Sequence, residues 1–260
     1  MIPEGLHALI DGAGSRTPNF PPTLVFNEGW MLRLILSWFA SHAVPGHSLA
    51  FQPDATWFSE ALLPSPFLRR YRSDNRAEAH THADGVIGHV SVGASAKADT
   101  SLLPNAFQLV VTEAKMFSPL SAGTRNAPGY DQAARSVACI AEMLSRAGRH
   151  PSQLQSLGFF VLAPEAQIRD AGLSAKLEKD SITQAVRSRA APYGTELDSW
   201  LSDWFLPTLA QVQIGPLSWE QMIADISPHD PQASQSLLGF YRQCLTYNAP
   251  GLREVNHTGT

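Results

Sequence analysis

Phe107-Gln108-Leu109-Val110-Val111-Thr112 runs directly into Glu113-Ala114-Lys115, and the reading of this junction decides the fold. The run is β-branched and mostly apolar, bounded by Pro104-Asn105 before it and Ser118-Pro119 after it. It predicts a strand buried on both faces, the kind found inside an α/β sheet. Two opposite charges at the end of such a strand need a reason. Side chains at i and i+2 share a face, so Glu113 and Lys115 project together while Ala114 turns away.

The preceding stretch supplies a partner. Gly85-Val86-Ile87-Gly88-His89-Val90-Ser91-Val92 also reads as a strand, and Ala94 to Asn105 is a polar, Pro-containing connection. The two runs predict an antiparallel hairpin. A turn centred near Ala98 and Asp99 sets Asp84 opposite Glu113 at one end of the sheet, and a slip of one residue would turn Asp84 to the other face. Two carboxylates and a lysine at strand ends suit hydrolysis of a phosphodiester. Carboxylate oxygens hold a hard ion such as Mg²⁺, which polarises a phosphoryl oxygen and acidifies water. The lysine adds a point charge that offsets charge developing on the phosphate.

At these residues the chain resembles the PD-(D/E)XK nuclease superfamily, with its restriction-endonuclease-like fold. Asp84 stands as the lone acid, Glu113-Ala114-Lys115 as the E-x-K, and Tyr130 to Ala138 as the helix that follows. Ala83 replaces the proline of the family name, the gap from Asp84 to Glu113 is long, and Ser136 stands where one family branch carries a tyrosine. The resemblance implies a core of helix, three-stranded meander, second helix and further strand, with a central mixed β-sheet flanked by helices. It implies catalytic roles for Asp84, Glu113, Lys115 and Gln132, with Mg²⁺ or Mn²⁺ as cofactor. The expected partner is nucleic acid, DNA in the first place, and a homodimer is compatible with it. In the family the first core helix often brings a glutamate to the metal, which nominates Glu28, with Glu60 as its competitor. A family member that has lost its chemistry and serves as a binding or scaffold module is the alternative from a different class.

With 260 residues, 44% hydrophobic and 16% charged, the chain can bury a large core. Its formal net charge of −4 argues against non-specific coating of DNA, yet a nuclease needs only a local basic groove beside its acids. Arg69-Arg70-Tyr71-Arg72 with Arg76, just before Asp84, is the best candidate for that groove, joined by Arg135 one turn beyond Gln132. The two cysteines, Cys139 and Cys244, have no metal spacing and suggest reduced thiols in a cytoplasmic protein. No membrane span is apparent, since the apolar run from Trp30 to Ala43 is short and interrupted by Arg33.

Residues 1–22 read as a loose leader, 23–163 as the nuclease-like core, 164–247 as a helical C-terminal addition packed on it, and 248–260 as a tail. Asn27 is a good N-cap for a helix carrying Trp30, Met31, Leu34, Ile35, Trp38 and Phe39. His80-Thr81-His82-Ala83-Asp84-Gly85 also resembles the H-x-H-x-D-H signature of metallo-β-lactamase-fold hydrolases. That resemblance implies a zinc-dependent hydrolase using His80, His82 and Asp84, and it fails at Gly85, where the signature has histidine.

Overall fold

A computed structural model describes residues 9–10, 12–15, 17–68, 74, 76–78, 81–93, 99–124, 127–170 and 172–249. Five strands form the central sheet in chain order: β1 (Thr56–Leu63), β2 (Thr81–Gly88), β3 (Gln108–Ala114), β4 (Ser156–Ala163) and β5 (Gln213–Ser218). β1, β2 and β3 form an antiparallel meander, and β4 and β5 continue in parallel beyond β3. The sheet is therefore mixed, and helices cover both its faces.

Helix α1 (Glu28–Ser41) precedes the meander, and α2 (Gln132–Ala147) links β3 to β4. The second parallel crossover is longer. It contains α3 (Glu165–Asp170), α4 (Leu173–Lys176), α5 (Lys179–Ala190) and an irregular helical stretch over residues 191–211. Helices α6 (Trp219–Ile226) and α7 (Pro231–Asn248) follow β5. No helix of the described residues is long and apolar enough to cross a membrane.

Strand alternation sorts the core into two halves. Leu109, Val111, Phe159 and Val161 face α2, with Val137, Ile140 and Leu144 packed on them. Val110, Phe160 and Leu162 face the other way, against Ile35, Phe39, Trp219 and Leu237 from α1, α6 and α7. All seven residues of β3 are buried as a result, and each large apolar side chain so enclosed contributes about 1.5–3 kcal/mol.

The helix ends follow from their sequences. Asn27 Oδ1 accepts from the Trp30 N–H at 3.0 Å and starts α1. Asp131 caps α2 in the same way, and Gly148 ends it in the left-handed region at φ 60°.

Three features differ from the sequence expectation. The run Gly85–Val92 is two strands, because β2 stops at Gly88 and Val90–Val92 pairs instead with Thr100–Leu102. Gly88 has φ 149°, and a side chain there would collide with the Gln108 carbonyl, so the backbone turns out of the sheet where only glycine fits. The C-terminal addition is not purely helical, since it donates β5 to the central sheet. The leader is not loose throughout, since Ala13 is fully buried.

Gly85 sets the spacing between sheet and helix. A Cβ placed on it would lie 2.5 Å from Thr112 Oγ1, 3.0 Å from Leu36 and 3.1 Å from Leu32. Gly85→Ala is expected to destabilise the protein by about 1–3 kcal/mol through overpacking, read as a lower denaturant midpoint with unchanged slope.

Candidate active site at the end of β2 and β3

The β2–β3 ladder pairs Gly85 with Thr112, Val86 with Val111, Ile87 with Val110 and Gly88 with Leu109. This register, continued by one residue, sets Asp84 against Glu113 as the hairpin reading expects. Regular pairing ends there. The Ala114 N–H donates instead to Asp84 Oδ2 at 2.7 Å, so a carboxylate takes the place of a backbone acceptor and fixes Asp84, midway along β2, beside the end of β3.

The neighbouring strand is distorted at the same level. Phe58 and Val86 pack in the core half under α2, and so do Ala61 and Ala83, three residues further along each strand rather than two. The pleat has slipped by one residue between them. Glu60 absorbs the slip with φ 56°, a left-handed conformation that costs on the order of 1 kcal/mol or more for a non-glycine residue. In the β1–β2 register Glu60 falls opposite Asp84. Its carboxylate turns to α1, where Arg33 Nη2 donates to it at 3.0 Å and Arg33 Nε donates to Ser59 Oγ at 2.9 Å.

Glu113 is the centre of the arrangement and is 2% exposed. Lys115 Nζ and Gln132 Nε2 both donate to its Oε1. Gln132 is held in turn by the loop before α2: its Oε1 accepts from the Ser121 N–H at 3.2 Å, and its own N–H donates to the Ser121 carbonyl at 3.0 Å. Burial, and then the neighbouring Asp84 carboxylate, push the Glu113 carboxyl up to about 8, against the opposing pull of Lys115. Glu113 Oε2 is buried and has no hydrogen-bond partner.

A buried carboxylate oxygen without a donor, beside a second carboxylate, has the chemistry of a hard-cation ligand pair. Lys115 is the one cation hydrogen-bonded to the pair, so two ionised carboxylates would leave a negative charge that a divalent ion could offset. Asp84 and Glu113 fit such an ion. No group of three or more His, Cys, Asp and Glu capable of holding a metal occurs among the described residues. Glu28 accordingly does not join the pair. It opens α1, and its charge acts on Cys244 of α7, whereas the charges acting on Glu113 are those of Asp84 and Lys115.

Arg69, Arg70, Arg72 and His80 lie outside the described residues. His82 is exposed on β2. Arg135 is turned to a different cluster: it acts on Glu78, Tyr130 and Cys139, and its Nε is buried without a partner. Arg189 also acts on Glu78, whose Oε1 accepts from Ser65 Oγ at 2.6 Å. This cluster lies between the segment before β2, α2 and α5, and Glu78 Oε2, Tyr130 Oη and Arg189 Nε are buried in it without hydrogen-bond partners, as Arg135 Nε is.

Two residues absent from the sequence reading support Lys115. The Trp219 indole N–H donates to the Lys115 carbonyl at 3.0 Å. Gln167 spans the turn after Lys115, its Oε1 accepting from the Phe117 N–H at 2.8 Å and its Nε2 donating to the Ser118 carbonyl at 2.7 Å. Phe117, at φ 71°, depends on that bracing. Gln167→Ala is expected to cost about 1–3 kcal/mol, and denaturant unfolding measures it.

Set against family models, curated proteins and solved structures, the chain matches none.

Proposed function

We propose that the protein is a metal-dependent nuclease, hydrolysing phosphodiester bonds at the site formed by Asp84, Glu113, Lys115 and Gln132. The observation that carries the reading is the buried, half-satisfied carboxylate of Glu113, with Oε2 unpartnered and Asp84 and Lys115 beside it at a strand end. The order of helix, three-stranded meander, helix and parallel strand around it supports the resemblance to the PD-(D/E)XK nucleases.

Asp84 and Glu113 would hold Mg²⁺ or Mn²⁺. When bound, the ion polarises a phosphoryl oxygen and lowers the pKa of water. The protein's own part is positioning and charge. Asp84 is fixed by the Ala114 N–H, so its free oxygen has a set direction. Gln132 anchors Glu113 to the start of α2, which keeps the carboxylate from following Lys115. The Lys115 ammonium, with its side chain only 13% exposed, stabilises the negative charge that grows on the phosphate more strongly than it would in water. It also orients the attacking water by hydrogen bonding.

A panel of linear duplex, circular duplex and single-stranded DNA, with single-stranded RNA, tests the reading in Mg²⁺, Mn²⁺ and EDTA. Cleavage of at least one substrate with either ion and none in EDTA is the expected result, with DNA preferred. Tight binding without cleavage of any substrate would replace the enzyme by a binding module, and neither binding nor cleavage would remove the nucleic-acid reading.

A further inference from the structure

A hollow beside the end of β3 is lined by Lys115, Pro119, Leu120, Gln167, Leu173 and Lys176. Two of these residues are lysines, and their situations differ. Lys115 Nζ donates to Glu113 Oε1. Lys176 is half-buried and makes neither an ion pair nor a hydrogen bond with any described residue.

Lys176 is held in place by its surroundings. It ends the single turn of α4, which the chain enters through Gly172 at φ 59°. Leu173, one turn earlier, and Leu177, the next residue, are both 6% exposed and belong to the core half under α2. With both leucines anchored, the Lys176 stem leaves the core at a fixed point on the rim of the hollow. Half-burial restricts its hydration, and Lys115 lines the same hollow. The hollow itself, about 10 Å³, has room for one water, so an anion would lie at its rim, where it would supply the counter-charge that Lys176 lacks.

We propose that Lys176 is a substrate-binding residue that grips a backbone phosphate of the polynucleotide next to the phosphate approached by Lys115. This rests on the nuclease reading and adds to it the element that seats the strand. α4 belongs to the C-terminal addition, so that addition forms one wall of the binding site.

The test measures two quantities on the full-length wild type, Lys176→Met and Lys176→Arg. Methionine keeps the apolar stem over Leu173 and Leu177 while removing the charge. Binding of a fluorescein-labelled oligonucleotide is read by anisotropy in Ca²⁺ over a salt series, and steady-state cleavage is read in Mg²⁺. Lys176→Met is expected to bind about five- to tenfold more weakly, with the slope of log K against log salt reduced by about 0.7–0.9, the release of one phosphate contact. KM is expected to rise by the same factor and kcat to stay within about twofold, with Lys176→Arg close to the wild type in slope. A wild type that cleaves alongside a Lys176→Met with unchanged affinity and slope overturns the proposal and leaves the nuclease reading standing. A fall in kcat at unchanged KM also overturns it, because Lys176 would then act on the chemistry and not on binding. A wild type that neither binds nor cleaves removes the nuclease reading and this proposal together, and that outcome is decided before any variant is compared.

Discussion

Glu113→Gln should melt higher than the wild type in metal-free buffer above pH 8, while losing Mg²⁺-dependent cleavage by at least about a thousandfold. The stability gain follows from the sign of the Glu113 shift. The carboxyl is raised from its ordinary 4.5 to about 8 in the folded protein, chiefly by burial and then by Asp84. A group whose folded value lies above its unfolded one contributes stability that is fully present below the unfolded value. That stability is lost as pH rises through the folded value. Metal-free wild type therefore weakens between about pH 4.5 and 8, and the loss levels off above that, at no more than about 5 kcal/mol. Glutamine cannot ionise. Its carbonyl still accepts from Lys115 and Gln132, and its amide presents an N–H towards Asp84 where Glu113 Oε2 had no partner. Thermal unfolding of both proteins from pH 5 to 9 in EDTA checks the crossover, with curves close together at pH 5 and diverging upwards. Added Mg²⁺ should close the gap, since an ion that binds only the folded wild type stabilises it by about 2.7 kcal/mol at a hundred times its Kd.

Lys115→Ala should abolish cleavage by a comparable factor while leaving the protein folded. The reason it folds is specific to this site. Lys115 is paired with a carboxylate that is 3% exposed, and removing one partner of a buried pair ordinarily costs about 3–5 kcal/mol. Here the surviving carboxyl sits in surroundings that already favour its neutral form. It takes up a proton instead of remaining as a buried charge, and the cost falls with decreasing pH. Below about pH 6 the variant and the wild type should differ little in stability, and above pH 8 the variant should be the weaker. Binding of Mn²⁺ should persist, because Asp84 and Glu113 remain. Unfolding at pH 6 and 9, Mn²⁺ titration calorimetry and cleavage on the same preparation separate loss of chemistry from loss of fold.

The part of this site legible in the sequence is the part written in strand periodicity. Gly85 to Gly88 and Leu109 to Thr112 pair in the register implied by the length of their connection, which places Asp84 against Glu113. The i, i+2 rule then places Lys115. Gln132 is nominated by the resemblance alone, and its bond to Glu113 depends on how α2 docks on β3. What escaped reading depends on contacts between distant segments. Gln167 and Trp219 are single residues on short helices, and nothing local marks them as braces for a lysine 52 and 104 positions earlier. The stretch from Ile214 to Ile226 reads as a short strand and a helix, and β5 and α6 form there; what is not local is the place of β5 at the sheet edge, where Gly215 and Pro216 are tolerated. Glu28 is nominated as a third acid only by the resemblance, while its place in the first turn of α1 suits the helix dipole. The direction in which α1 presents it, towards Cys244, is set by tertiary packing. Arg135 lies one turn beyond Gln132 on α2, and its charge acts on Glu78, Tyr130 and Cys139.

The most direct test of the central claim is cleavage of one linear DNA by the wild type and by Glu113→Gln, side by side, across a series of Mg²⁺ and Mn²⁺ concentrations with EDTA as the zero point. Cleavage by the wild type is expected to rise with metal and to vanish in EDTA. None is expected from Glu113→Gln at any concentration, although that variant is the more stable protein at pH 9. Equal cleavage by the two proteins, or wild-type cleavage that persists in EDTA, would contradict the claim.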